Sequence, residues 1–303
     1  MEPTRASLTA LGAALMRAVH SRLSPSPLID DPWGDRLVLE AEREAVLSVV
    51  LKSLSPLARE ECEKRGDPHT VLDAALQLHP GYGWAILRSR YAEDLLAIAV
   101  RSGVHQYVIV GAGFDSFALR QPAFARDVNV FEIDHPATQE LKSRRLHQCG
   151  VPLPATLHLV AADFSQEQLG DALARSTFVP NEPAFFAWLG VTQYLTREAN
   201  IATLRSIAAC AAPGSQLVFT YVDQSELGSN PTSGGGERLQ MAFAAAREPW
   251  VSGFDPLRLG EDLAALGFTL LEDLDGLDAK TRYCPDRHDL SPMKASHIVH
   301  ATH

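Results

Sequence analysis

The chain has little cysteine, no basic block and no long apolar run. Its four cysteines are scattered through 303 residues without a Cys-x-x-Cys pair, which favours reduced thiols of a cytoplasmic protein over a disulfide framework or a zinc site. A net charge of -10 with no Lys/Arg-rich stretch argues against nucleic-acid binding, because that binding depends on cations that neutralise phosphates. No segment approaches the ~20 apolar residues of a membrane span, and the N-terminus lacks the apolar core of a signal peptide. We therefore expect a cytoplasmic protein that binds neither nucleic acid nor a membrane.

The sequence also lacks the third glycine of a dinucleotide-binding fingerprint. Gly111 and Gly113 follow an apolar run at 107–110, but Ser116 stands in place of the third glycine, which allows close packing over a pyrophosphate. Asp115 in the same turn would repel a diphosphate, whereas it suits a ligand with an ammonium group. S-adenosylmethionine has that group and no phosphate, so these residues favour S-adenosylmethionine over NAD.

A strand, a glycine turn and a helix are nevertheless present in the order typical of nucleotide-binding α/β sheets. Glycine has no Cβ, so it turns sharply and lets a ligand approach the backbone. A second short apolar run, 128–134, contains Glu132 and Asp134 about 20 residues later, where a ribose-binding carboxylate is expected. On the glycine motif alone, an ordinary strand-to-helix turn with surface acids is an equal alternative.

Strands and helices alternate from residue 107 onward, which predicts a mostly parallel sheet. We predict an α/β fold with a Rossmann-like, seven-stranded, mostly parallel sheet, helices on both faces and an N-terminal helical extension. Residues 1–83 are assigned to a helical cap region and 84–303 to the ligand-binding domain, within one continuous unit. The predicted strands are 107–110, 128–133, 157–161, 184–189, 216–222, 267–272 and 296–301. The main predicted helices are 9–22, 84–101, 136–149, 167–175, 197–211, 241–247 and 260–266.

A segment rich in Ser, Gly and Asn follows the fifth predicted strand. It spans 225–237 and contains three consecutive glycines at 234–236. Loops in this position often carry function. The composition fits a lid over a ligand and a plain linker equally well.

The order and spacing of several motifs resemble one protein family along nearly the whole chain. The motifs are Leu87 to Asp94, Gln106 to Ser116, Phe131 to Pro136 with Lys142 following, Ala162 to Phe164, and Trp188 to Thr196. Together they resemble the class I S-adenosylmethionine-dependent methyltransferases, and within them the leucine carboxyl methyltransferase-like family. The version at 188–192 is similar to a bacterial subgroup of small-molecule O-methyltransferases. The resemblance implies S-adenosylmethionine as cofactor, S-adenosylhomocysteine as its product and a small-molecule substrate, with secondary metabolism as one setting.

The resemblance also implies roles for residues at the cofactor. Arg88 would pair with the methionine carboxylate, since a guanidinium can donate two parallel hydrogen bonds to it. Either Glu132 or Asp134 would bind the ribose hydroxyls, and we expect only one of the two to point into the site. Asp163 would accept a hydrogen bond from the adenine amino group, with Phe164 beside it. The predicted cofactor-binding residues are Arg88, Gly111, Ala112, Gly113, Asp115, Glu132, Asp134, Asp163 and Phe164.

Arg17, Leu189 and Tyr194 are the candidates for substrate binding. Tyr194 belongs to the segment after the fourth strand, which lines the pocket in the family. Leu189 stands where many members have an acid, so the contact made by that acid is not expected here. Arg17, on the first predicted helix, could attract an acidic substrate.

Each of these assignments has a structural alternative. Arg88 could instead belong to a solvated helix face and Asp163 could be a helix N-cap. Phe164 and Tyr194 could be core aromatics, and Arg17 a surface arginine.

Methyl transfer from a sulfonium is an in-line displacement, in which the protein mainly positions and desolvates the nucleophile. We identify no metal-ligand cluster, no convincing histidine base and therefore no catalytic residue. A carboxylate needs no base, so the sequence favours a carboxyl or acidic hydroxyl acceptor. The alternatives are an NAD(P)-dependent oxidoreductase with a Rossmann-like fold and a non-catalytic S-adenosylmethionine-binding protein.

Overall fold

A computed structural model describes residues 7–150, 152–164, 166–227 and 248–303 of the chain. The predicted helix at 241–247 and residues 228–237 of the glycine-rich segment lie outside the described residues. The choice between lid and linker therefore stays a prediction.

A seven-stranded sheet forms the centre of the protein. Its order is β3-β2-β1-β4-β5-β7-β6, with β1 to β5 parallel and β7 antiparallel to both of its neighbours. The predicted mostly parallel, seven-stranded sheet is thereby confirmed. The strands are β1 Gln106–Val110, β2 Asn129–Asp134, β3 Leu157–Ala161, β4 Ala184–Trp188, β5 Gln216–Val222, β6 Thr269–Asp275 and β7 Ser296–Thr302.

The strand order reverses between β1 and β4, and this reversal positions the site. In open α/β sheets, ligands bind at the carboxyl ends of the strands where the order reverses, because the connections from the two strands diverge there. Every residue of β1 and of β4 is buried, as expected for central parallel strands covered on both faces.

Helices cover both faces of the sheet, as predicted. Tyr107 and Ile109 of β1 belong to one hydrophobic core, and Val108 and Val110 to the other, because side chains alternate along a strand. The helices are α1 Leu8–Leu23, α2 Trp33–Leu37, α3 Glu40–Ser53, α4 Pro56–Glu63, α5 Pro68–Leu78, α6 Tyr82–Arg101, α7 Phe117–Arg120, α8 Pro136–Gln148, α9 Leu169–Leu173, α10 Arg197–Cys210, α11 Leu259–Ala264 and α12 Gly276–Tyr283.

The N-terminal helices share one core with the sheet. Leu15 of α1, Val46 of α3 and Leu87 of α6 lie in the same buried cluster as Ile109 of β1. The helical extension therefore packs directly on one face of the sheet. The boundary at residue 83 stays a prediction.

Several element bounds differ from the sequence-based predictions. β2 runs to Asp134, one residue further than predicted, and α9 is shorter than the predicted helix at 167–175. Residues 54–80, for which no bounds of individual helices are predicted, contain α4 and α5, and Asp67 caps α5 by accepting the N–H of Thr70 at 2.9 Å.

Within the described part of the chain, no helix combines the length and apolarity needed to cross a bilayer.

The stability of this fold should decrease in mild acid because of His20. This residue of α1 is fully buried, and its Nε2 accepts the N–H of Leu28 at 2.9 Å. Burial lowers the pKa of His20 from 6.5 to about 4. Between those pH values the unfolded chain binds a proton that the folded chain does not, so stability is complete above pH 6.5 and is lost as the pH falls towards 4.

We expect this residue to contribute about 2 kcal/mol to the loss of unfolding free energy at roughly pH 5. His20→Gln keeps an acceptor for Leu28 that does not titrate. Urea unfolding near pH 8 and pH 5 should show a smaller loss in the variant than in the wild type. Equal losses would contradict the assignment.

Candidate functional site

A cavity of about 560 Å³ lies at the carboxyl ends of the central strands. Its volume falls within the roughly 300–1,000 Å³ typical of small-molecule sites. Residues at or just beyond the carboxyl ends of β1, β2, β4 and β5 form its floor, and α1, α3 and α6 form much of its wall. The structure thus brings together nine of the twelve predicted site residues: Arg17, Arg88, Gly111, Ala112, Gly113, Asp115, Asp134, Leu189 and Tyr194.

The glycine turn after β1 needs its two glycines for geometric reasons. Gly111 and Gly113 have φ values of +69° and +52°, in the left-handed region that side chains disfavour. A Cβ on Gly111 would also lie 2.7 Å from a methyl carbon of Val191. The N–H groups of Gly111 and Ala112 both donate to the carbonyl of Ile133, at 2.8 and 3.1 Å, which joins the turn to the end of β2.

Asp134 lies at the carboxyl end of β2 and lines the cavity. One of its carboxylate oxygens accepts the N–H of Gly113 at 2.6 Å, and the other accepts the N–H of His135 at 2.7 Å. Burial raises the pKa of Asp134, while these hydrogen bonds oppose the shift. The Thr138 hydroxyl also donates to this carboxylate, which leaves one of its four lone pairs for a hydrogen bond from a ligand.

Glu132 does not line the cavity. Residues 132 and 134 are two apart, so their side chains lie on the same face of the sheet. They differ in position along β2, because Asp134 is at the carboxyl end beside the cavity and Glu132 lies two residues further into the sheet. Glu132 is fully buried and forms an ion pair with the Nζ of Lys142, which also donates to the carbonyl of Asp115 at 2.6 Å. Burial raises the pKa of Glu132 to about 7 even though Lys142 opposes the shift. Glu132 therefore stabilises the glycine turn indirectly, through Lys142 and its hydrogen bond to the carbonyl of Asp115.

Arg17 lines the cavity, but its guanidinium is already engaged. Its Nε donates to Asp31 at 2.6 Å and its Nη2 to the carbonyl of Phe114 at 3.1 Å. Ser116 donates to the same Asp31 oxygen at 2.6 Å. Burial would raise the pKa of Asp31, but Arg17 and Arg120 lower it below its ordinary value. Arg17 is therefore a buried link between α1 and the glycine turn, not a surface arginine.

Arg88 is the cation in the cavity that lacks a partner among the described residues. No carboxylate in the described part of the chain lies within ion-pair distance, and the guanidinium makes no hydrogen bond there. It lies against Gly190, where an added Cβ would be 2.7 Å from its Cζ, and Gly190 has a φ of +72°. Burial lowers the pKa of Arg88 to about 10, so it stays charged at neutral pH. This position is incompatible with a solvated helix face.

The remaining predicted residues are distributed around the site. Asp115 accepts the N–H of Phe117, the first residue of α7, at 2.8 Å, while the residue still lines the cavity. Asp163 and Phe164 follow β3 but do not belong to the cavity lining. Phe164 is 40% exposed, so it is not a core aromatic, and α9 begins after Gln168, so Asp163 is not its N-cap.

Tyr194 lies in the cavity beside two residues that sequence reasoning missed. Burial raises the pKa of Tyr194, while hydrogen bonds with Thr9 and Gln193 oppose the shift. Thr9, near the start of α1, donates both its N–H (at 3.2 Å) and its hydroxyl to one oxygen of Glu248. Glu248 is 239 residues away in the chain, and no local pattern connects it to the cavity. Within the described residues, no group of three His, Cys, Asp or Glu side chains could hold a metal ion.

Comparison with known proteins agrees with this geometry. The family model for leucine carboxyl methyltransferase matches residues 10–208, more than half of the chain. YktD of Bacillus subtilis, which is named as an S-adenosyl-L-methionine-dependent methyltransferase, is 33% identical over 305 residues, with 99% of each chain covered. A protein of Mycolicibacterium smegmatis with the same kind of name is 35% identical over 236 residues, covering 78% of this chain and 72% of its own.

Solved structures share the fold at low sequence identity. A crystal structure titled as a methyltransferase from Thermobifida fusca has a TM-score of 0.54 at 15% identity, covering 95% of this chain and 94% of its own. A DUF574 family protein from Streptomyces avermitilis has a TM-score of 0.55 at 15% identity, covering 95% and 96%. The family match covers residues 10–208 and the match to YktD extends over the rest of the cavity lining, so the comparisons favour a methyltransferase over an oxidoreductase. The chain belongs to the leucine carboxyl methyltransferase family and is an S-adenosylmethionine-dependent methyltransferase.

Proposed function

We propose that this enzyme methylates an oxygen atom of a small-molecule carboxylate or hydroxyl acceptor, such as a secondary metabolite, in the cytoplasm. The observation that carries the proposal is the Arg88 guanidinium, which is charged, half-buried in the wall of a cavity of small-molecule size and unpaired among the described residues. A partly desolvated cation without a partner is unfavourable, so a ligand that supplies a carboxylate is the expected complement.

The residues around Arg88 fit the methionine and ribose parts of S-adenosylmethionine. The cofactor supplies a methyl group on a sulfonium, which is an activated leaving group. Arg88 would hold the methionine carboxylate, and Asp134 would accept a hydrogen bond from a ribose hydroxyl. The backbone of Gly111 and Gly113 leaves room for close approach. Asp115 also lines the cavity, and its carboxylate suits the ammonium group.

The enclosure of the cavity supports a small acceptor over a protein chain end. The first turns of α1 lie over the glycine turn, since a Cβ on Gly113 would be 3.4 Å from the Cβ of Ala10. The segment from Glu248 to Val251 also lines the cavity, and Val251 donates its N–H to the carbonyl of Gln193 at 2.7 Å. Such walls exclude water and hold the acceptor in line with the methyl group, which are the main contributions a methyltransferase makes.

We expect S-adenosylmethionine and S-adenosylhomocysteine to raise the melting temperature of the protein, because they bind the native state alone. At 100 times the dissociation constant, the added stability is about 2.7 kcal/mol. NAD should give no shift, since its diphosphate would meet Asp115 and find no third glycine. Differential scanning fluorimetry with the three compounds makes the comparison. A shift with NAD and none with S-adenosylhomocysteine would reject the proposed cofactor site.

Arg88→Ala should weaken binding of S-adenosylhomocysteine by about ten- to hundredfold, because a hydrogen bond to a charged group contributes roughly 1.5–3 kcal/mol. The fold should persist, since Arg88 makes no ion pair with the described residues. Isothermal titration calorimetry measures the affinity. Arg101→Ala is the matched control, because Arg101 is exposed in the last turn of the same helix. Equal affinities of both variants would remove Arg88 from the cofactor site.

A further inference from the structure

The cavity is also lined by apolar side chains that have no assigned role in cofactor binding. The glycine turn and Asp134 lie at the carboxyl ends of β1 and β2, whereas these apolar side chains come from the N-terminal helices. Three different helices contribute them. The side chains are Met16 of α1, Val46, Val49 and Val50 of α3, and Trp84 and Ala85 of α6. We call this group the apolar wall. A ligand that rests against it needs an apolar body.

The charges of the described cavity lining leave no cation for the acceptor. Its charged side chains are Arg17, Arg88, Asp115, Asp134 and Glu248. Arg17 already binds Asp31 and the carbonyl of Phe114. Arg88 is the residue assigned to the cofactor's carboxylate.

His79 also lines the cavity, but it is uncharged at neutral pH because burial lowers its pKa to about 4. An acceptor carboxylate would therefore enter an apolar region without a free cation among these residues, and burial of an unpaired carboxylate is strongly unfavourable.

Glu248 supplies what a neutral acceptor needs. Its Oε2 accepts both hydrogen bonds from Thr9, which fix the side chain at the start of α1. Among the described residues, Oε1 accepts no hydrogen bond. Thr9 also contacts Tyr194, and Tyr194 interacts electrostatically with Arg88. The carboxylate is thus held on the cavity side where the methionine end of the cofactor is expected.

We propose that the acceptor is an uncharged hydroxyl compound with an apolar body, which lies against the apolar wall and gives its proton to Glu248. This inference rests on the proposed O-methyltransferase function and selects one of its two acceptor classes. It departs from the carboxyl or acidic hydroxyl acceptor that the sequence alone favours, because the sequence does not show that Arg17 is paired or that Glu248 enters the cavity.

The step balances without a metal or a further reactant. The acceptor oxygen forms a bond to the methyl carbon, the bond between that carbon and the sulfonium sulfur breaks, and its electron pair remains on sulfur. The hydroxyl proton moves to the Oε1 of Glu248. The products are a methyl ether, S-adenosylhomocysteine and a protonated carboxyl group that returns its proton to water.

The test measures binding of two matched probes, 2-naphthol and 2-naphthoate, to the protein saturated with S-adenosylhomocysteine. The probes share one ring system and differ in charge at neutral pH. Calorimetry should show that 2-naphthoate binds at least about tenfold more weakly than 2-naphthol. In Glu248→Gln this preference should fall by about tenfold or more, because the variant removes the charge that attracts the hydroxyl proton and repels the carboxylate. Glu140→Gln, an exposed carboxylate on α8, should keep the wild-type preference.

Each outcome bears on a separate claim. Failure of S-adenosylhomocysteine to bind would reject the proposed function itself. If the cofactor product binds but 2-naphthoate binds as well as 2-naphthol, or neither probe binds at millimolar concentration, the neutral-acceptor inference is wrong. A preference for 2-naphthol that persists unchanged in Glu248→Gln would overturn the assignment of Glu248.

Discussion

The turn of residues 111–116 is held from several directions by buried charged groups, and the rest of the site depends on it. Asp134 accepts the N–H of Gly113, while Arg17 and Lys142 donate to the next two carbonyls, at Phe114 and Asp115. Both cations are neutralised by buried carboxylates, Asp31 and Glu132. Removal of one partner from such a pair leaves an uncompensated buried charge and costs about 3–5 kcal/mol. The turn therefore has its binding geometry before any ligand arrives.

This pairing also explains why Arg88 differs from its neighbours. Because the cations around the turn are matched within the protein, they do not compete for a ligand's carboxylate. Arg88 lies against Gly190, where a side chain would displace it, and the positive φ of Gly190 makes glycine the residue that fits. A charged guanidinium that packs against Gly190 and has no ion-pair partner among the described residues is available to a ligand's carboxylate. In this account, specificity for the methionine end of the cofactor arises because Arg88 has no ion-pair partner among the described residues.

Local patterns in the sequence were sufficient to predict the sheet. They did not predict how deeply the charged residues are buried or which of them form ion pairs. Alternating strands and helices predicted the seven-stranded sheet, and the two glycines after β1 predicted the position of the site. The pattern did not distinguish Glu132 from Asp134, because both lie on one face and differ in depth along β2. The sequence pattern suggested that Arg17 binds the substrate, whereas in the structure the Arg17 guanidinium forms an ion pair with Asp31. Glu248 carries no local signal, since its partner Thr9 is 239 residues away. Long-range ion pairs depend on tertiary packing that periodicity does not encode.

A double-mutant cycle between protein and ligand tests the central claim most directly. Calorimetry would compare S-adenosylhomocysteine with its decarboxylated analogue on the wild type and on Arg88→Ala. If Arg88 is left unpaired for the ligand's carboxylate, removal of either group should weaken binding, and removal of the second should add little, giving a coupling energy of roughly 1.5–3 kcal/mol. Additive losses, with the two ligands weakened equally by Arg88→Ala, would contradict the account.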